Sequence, residues 1–148
     1  MSRLLSVNNV RMSVRTIGRF RQSDYEWGVQ QEDKVFPYVQ QHFGGSVIRA
    51  TNKKSRFDCS DTGSIYEIKS RKCNLNTYST TVITTDKAVE IGKDIYFIFN
   101  FYDSVAYIKY NAEKFREYQI KWIFNKPNWE IPVEDLTTFH NWNSGCLL

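Results

Sequence analysis

The turn signal Asp61-Thr62-Gly63-Ser64, set between two β-prone runs, constrains this chain more than any other feature. It predicts an antiparallel hairpin in which residues 56–60 pair with residues 65–71. With Thr62-Gly63 at the apex, Asp58 falls directly opposite Glu67. Side chains alternate along a strand, so Glu67, Lys69 and Arg71 share one face, and the cross-strand rule puts Asp58 on that face too. Two carboxylates and an ammonium then converge. Opposed acids, with β-carbons only about 5 Å apart in such a pair, repel each other and add nothing to the hairpin. A divalent cation reverses the sign, and Mg²⁺ is commonly held by a few carboxylates together with water and phosphate oxygens. A neighbouring lysine can orient or deprotonate a water. The pattern suits phosphodiester hydrolysis. The plain alternative is a surface hairpin in which Lys69 balances the charge of Glu67.

Upstream, Ser23-Asp24-Tyr25-Glu26 has the form of a capping box and predicts a helix running toward Phe43, stopped by Gly44-Gly45. At about 100° per residue, Gly28, Glu32, Val35, Phe36, Val39 and Phe43 fall on one side of it. Glu32 then sits in the middle of an apolar stripe, with Glu26 and Asp33 turned away. An ionised acid in that position is costly unless a cation or hydrogen bonds compensate it. A metal at the hairpin would do so. Pro37 complicates the element, since it removes one hydrogen bond and is expected to kink or divide the helix.

Helix with Glu32, strand, strand with Asp58, strand with Glu67-Ile68-Lys69: this order resembles the PD-(D/E)xK nuclease superfamily. The resemblance implies an α/β (α+β) fold with a restriction-endonuclease-like αβββαβ core, a central mixed β-sheet flanked by helices. It implies that Asp58, Glu67 and the Ile68 carbonyl bind Mg²⁺, with Mn²⁺ as a substitute, that Lys69 acts on the attacking water, and that Glu32 completes the site. The chain departs from the pattern at Phe57, where the superfamily commonly has proline. Within that superfamily, the string Gly28-x-x-x-Glu32, Phe57-Asp58, Tyr66-x-Glu-x-Lys-x-Arg71 and Tyr78 is similar to small nuclease-like proteins of phages and large DNA viruses. The resemblance spans residues 24–110 or so. It makes DNA the expected partner and a metal-dependent deoxyribonuclease of replication, recombination, repair or degradation the expected activity. A non-catalytic nucleic-acid-binding domain on the same scaffold is the alternative.

Charge is distributed to match. The net charge is +4, yet residues 1–23 hold Arg3, Arg11, Arg15, Arg19 and Arg21 with no acid, which leaves −1 on residues 24–148. A basic arm ahead of a near-neutral nuclease-like domain suits contact with phosphate backbones, and a solubilising tail is the other reading. Apolar positions of the arm, such as Val10, Met12 and Val14, would also let it cross to a second subunit in a homodimer. Lys53, Lys54 and Arg56 before the acids, with Arg49, and Arg71 and Lys72 after them, would flank a scissile phosphate. Arg71 could grip a neighbouring phosphate in bidentate fashion.

At 148 residues, 41% hydrophobic and 16% aromatic, the chain is long enough for one full core. Its longest apolar run, residues 95–99, is far short of the ~20 residues of a membrane-spanning helix, and the N-terminus lacks the apolar core of a signal peptide. A cytoplasmic protein is expected, or one of the nucleus or host-cell interior if viral, and not a secreted one. Cys59, Cys73 and Cys146 are odd in number and lack zinc-type spacing, so they are expected to be reduced thiols, with Cys59 facing the helix-covered side of the sheet.

The remaining segments bear on substrate and core. Residues 74–85 are polar and β-branched and are expected to form a substrate-facing connection in which Tyr78 stacks on a base or meets a phosphate. A short helix is expected over residues 86–91, with Lys87 placed against the helix dipole, a hint of phosphate binding. Residues 95–101 and 105–110 are expected to form a second hairpin whose first strand is central and covered by helices on both faces. Asn111 can cap a helix through about Gln119, and the remainder is expected to be irregular packing over the sheet.

Overall fold

The structure, a computed structural model, describes residues 21–52, 55, 57–88 and 92–143. Helix α1 spans Gln22–Phe43 and buries Val35 and Val39 completely, as the apolar stripe requires. The expected capping box is not formed: Arg21 is the N-cap, without a side-chain hydrogen bond, and Ser23 lies inside the first turn. Residues 1–20, which hold most of the expected basic arm and Arg19 among them, lie outside the described part of the chain. Pro37 neither ends nor divides the helix. It sits on the exposed face, where solvent can satisfy the carbonyl that loses its partner. Gly44, at φ 128°, ends the helix in a conformation that side-chain-bearing residues rarely adopt.

Two sheets follow. The larger contains β1 (Ile48–Arg49), β2 (Cys59–Ser60), β3 (Ser64–Ser70), β5 (Asp94–Asn100), β6 (Ser104–Lys109) and β9 (Thr137–Asn141), in the spatial order β9-β6-β5-β3-β2-β1. Strands β3 and β5 run parallel with Glu67 beside Phe97, and the other pairs are antiparallel. The fold is therefore α+β with a mixed sheet. The smaller sheet has the order β4-β8-β7, built from β4 (Thr80–Thr84), β7 (Gln119–Ile123) and β8 (Lys126–Pro132), all antiparallel.

The expected hairpins are present, the first in shortened form. Cys59 pairs with Tyr66 and Ser60 with Ile65, the register that sets Asp58 opposite Glu67, but β2 is only two residues long. Asp61 holds the turn, accepting from the backbone N–H groups of Gly63 and Ser64. The second hairpin joins β5 and β6 as anticipated, and β5 is central.

The layers differ from the expectation of helices on both faces. On one face, Val35 and Val39 of α1 pack with Cys59, Tyr66, Ile68, Ile98 and Val105. On the other, Ile65, Phe97, Phe99 and Ile108 meet Ile83, Trp129 and Ile131 of the smaller sheet, with Phe115 between them. That second cover is made from segments whose strand character was missed. Residues 80–84 are β4 rather than part of a loop, and the tail expected to be irregular supplies β7, β8 and β9. The helix expected over residues 86–91 is a 3-10 turn at Thr85–Lys87, with residues 89–91 outside the described part. The helix capped by Asn111 is α2, only Ala112–Phe115, although the cap itself forms, Asn111 Oδ1 accepting from Lys114 N at 2.9 Å. No described helix is long and apolar enough to cross a membrane.

Candidate metal and nucleic-acid site

Asp58 is fixed from both sides. Its backbone N–H donates to the Tyr66 carbonyl at 3.1 Å, and its own carbonyl accepts from Ala50 N at 2.8 Å. The strand ladder stops at Cys59, and the next hydrogen bond is made by a side chain: Asp58 Oδ2 accepts from Ile68 N at 2.7 Å. In an extended residue the N–H and C=O point to the same edge, so the Ile68 carbonyl is turned toward the Asp58 side of β3. Burial pushes the Asp58 carboxyl up to about 6, the Ile68 hydrogen bond working against the shift and the adjacent Glu32 carboxylate adding to it. Two carboxylates within hydrogen-bonding reach of each other need a shared proton or a cation.

Glu67 lies in the middle of β3 and is only 3% exposed. Its Oε2 receives Lys69 Nζ at 3.1 Å and Lys87 Nζ at 3.3 Å. Lys69 comes from the same face of β3, and Lys87 from the 3-10 turn after β4. Oε1 is buried and has no hydrogen-bond partner among the described residues. Burial first, then Asp58, raises the Glu67 carboxyl above its ordinary range, and the two lysines pull it back. A buried carboxylate oxygen left without a donor is rare, because its desolvation is uncompensated.

Glu32 reaches this group from α1. Its Oε1 accepts from Arg49 Nη2 at 2.7 Å, and the other arm of the same guanidinium binds Asp33. Arg49 thus ties β1 to α1, and Asp33, exposed on α1 and turned from the apolar stripe as expected, shares the same guanidinium. Glu32, Asp58, Glu67, Lys69, Arg71 and Lys72 all line one cleft of about 610 Å³, with Gly28 and Tyr25 on its helical wall. Among the described residues, no group of three or more His, Cys, Asp or Glu side chains is arranged as a preformed metal cage. The residues nevertheless fit a divalent cation: hard oxygen donors, a partnerless Glu67 Oε1, and an Asp58 carboxyl crowded against Glu32, whose charge Arg49 already shares.

The flanking cations are held in different ways. Arg71 Nη2 donates to the Val82 carbonyl at 2.6 Å and Nε to Thr81 Oγ1 at 3.4 Å, so the guanidinium joins the end of β3 to β4. Lys72 makes an exposed pair with Asp24 at 3.3 Å and lies over the Trp27 ring. Tyr78 is 66% exposed, and Arg21 is exposed at the start of α1. Lys53, Lys54 and Arg56 lie outside the described residues. The direct contact of Lys87 with Glu67 was the main feature that pattern reading missed, and its only sequence signal was a cation in an electrostatically poor place. Cys59 is buried on the α1 face as expected, and burial pushes its thiol up to about 12.

Comparison with models of protein families, with curated proteins and with solved structures finds no match for this chain.

Proposed function

We propose that this chain is a divalent-cation-dependent deoxyribonuclease of the PD-(D/E)xK type, hydrolysing phosphodiester bonds in DNA. The observation that carries this reading is Glu67: a buried carboxylate with one oxygen gripped by two lysines and the other without a partner among the described residues, near Asp58, which immediately precedes β2. A purely structural ion pair would gain nothing from the bare oxygen or from the crowded Asp58 and Glu32. The element order supports it as well: helix, two short antiparallel strands, a third strand with the acid and lysine, then a crossover to parallel β5. That crossover has, among the described residues, β4 and a 3-10 turn where the resemblance implies a helix.

In this reading Asp58, Glu67 and the Ile68 carbonyl hold Mg²⁺ or Mn²⁺, with Glu32 closing the set. The bound cation supplies Lewis-acid stabilisation of charge developing on the phosphate and the leaving oxygen. Lys69 would orient the attacking water, and would take its proton only as the neutral amine, since the ammonium is a donor alone. Asp58 keeps its orientation through Ile68 N, and its side chain lines the cleft beside Glu32. Exposed Lys72 steers the DNA backbone, with Arg19, Arg21, Lys53, Lys54 and Arg56 as further cations of the approach.

Calorimetric titration of Mn²⁺ tests the reading. Saturable uptake by the wild type, abolished in Asp58→Asn and Glu67→Gln, is expected. A specific observation favours a second reading, a nucleic-acid-binding domain without catalysis: Lys69 and Lys87 already neutralise Glu67. No Mn²⁺ uptake alongside DNA binding in EDTA would select that reading instead.

A further inference from the structure

A second pocket, of about 380 Å³, opens between the loop after β3 and the face of the smaller sheet turned away from the main sheet. Leu75, Tyr78, Val82 and Ile123 give it apolar walls, and its volume lies in the range that encloses small ligands, about 300–1,000 Å³. It adjoins the carboxylate cleft, because Arg71 and Lys72 line both. Lys121 also lines it, so the pocket has cations from the loop after β3 and from β7, and Glu130 adds an acceptor to its lining. Tyr78, with two-thirds of its surface exposed on that rim, presents a free aromatic face.

We propose that this pocket holds an unpaired nucleobase of the strand whose phosphate enters the carboxylate cleft. The inference rests on the nuclease reading and narrows its substrate class to single-stranded or frayed DNA. An apolar pocket with an exposed aromatic in its lining accepts a base by stacking, which every base allows. Lys72 and Lys121, which come from different elements of its lining, can meet phosphates flanking that nucleotide. Glu130 can accept from the exocyclic amino group of a base. A base stacked within a duplex cannot reach such a pocket without leaving its partner. The exposed pair of Lys72 with Asp24 is weak enough to exchange for a phosphate.

The test is binding of short fluorescent oligonucleotides in EDTA, where no cutting interferes. The wild type is expected to prefer a single strand over a blunt duplex by about 10-fold, and Tyr78→Ala to lower single-strand affinity by about 10-fold. Lys121→Ala should weaken it too, and both sites are exposed enough for the variants to fold. Trp122→Ala is the control, an exposed aromatic on the opposite face of β7 that should leave affinity unaltered. A 2-aminopurine base in the single strand should lose fluorescence on binding wild type but not Tyr78→Ala. Equal affinity for single strand and duplex, or indifference to Tyr78→Ala and Lys121→Ala, would overturn the proposal. Because no metal is present, either outcome is independent of the Mn²⁺ titration that tests the nuclease reading.

Discussion

Lys87 Nζ lies 3.3 Å from Oε2 of Glu67, the same oxygen that Lys69 reaches at 3.1 Å. The two lysines come from different elements, one from β3 and one from the turn after β4, so the carboxylate locks the smaller sheet's first strand onto the main sheet. Because they share one oxygen, their contributions cannot be independent. In metal-free protein, Lys69→Ala and Lys87→Ala should each cost about 1–3 kcal/mol in urea unfolding, and the double variant should depart from the sum by at least about 0.5 kcal/mol. Strict additivity would show that the shared contact is not formed in solution.

Arg71 and Lys72 are adjacent in sequence and opposite in role. Arg71 gives the Val82 carbonyl a charged hydrogen bond, and burial lowers the proton affinity of its guanidinium. Arg71→Ala should therefore cost about 2–3 kcal/mol of stability, whereas Lys72→Ala, which breaks an exposed pair and a cation–π contact with Trp27, should cost less than about 1 kcal/mol. DNA affinity at low salt should respond to Lys72→Ala. Equal stability losses in the two variants would contradict the assignment.

Gly28 sits in the interior of α1 and on the wall of the carboxylate cleft, and a β-carbon added there would meet nothing within 4 Å. Helix propensity predicts that Gly28→Ala raises stability by about 0.5–1 kcal/mol. Its methyl group would project into space that substrate needs, so cutting should slow several-fold while thermal stability rises. Gain of stability with unchanged cutting would place the substrate elsewhere.

His140 stacks on Tyr38 with ring centroids 3.8 Å apart, and burial lowers its pKa from the ordinary 6.5. The folded state then binds a proton less readily than the unfolded chain. Stability contributed by the neutral ring is complete above the unfolded value and is lost as pH falls through the folded one. Unfolding measured between pH 7 and pH 5 should show a slope toward lower stability that is reduced in His140→Phe, a variant that preserves the stack. An unchanged slope would assign the pH dependence to other groups.

The legible parts of the molecule were those whose signals are local. The Asp61 turn, the Asp58–Glu67 register, the apolar stripe of α1 and the β5–β6 hairpin each follow from residues close in sequence. The smaller sheet was not legible, because Thr80–Thr84 reads as polar and its strand character comes from pairing with distant Lys126–Pro132. With β4 unrecognised, Arg71 had no visible partner at Val82, and Lys87 could not be carried to Glu67. The pairing of Arg49 with Glu32 and Asp33 is not legible for the same reason: it depends on how β1 lies against α1.

The most direct measurement of the central claim is the rate of cutting of labelled single-stranded, duplex and branched DNA in Mg²⁺ and in EDTA, with wild type and Glu67→Gln purified side by side and confirmed folded by circular dichroism. The account predicts cutting by the wild type in Mg²⁺ alone and a loss of at least about 100-fold in Glu67→Gln. Cutting that persists in EDTA or in Glu67→Gln, or a wild type that cuts none of the three substrates, would contradict it.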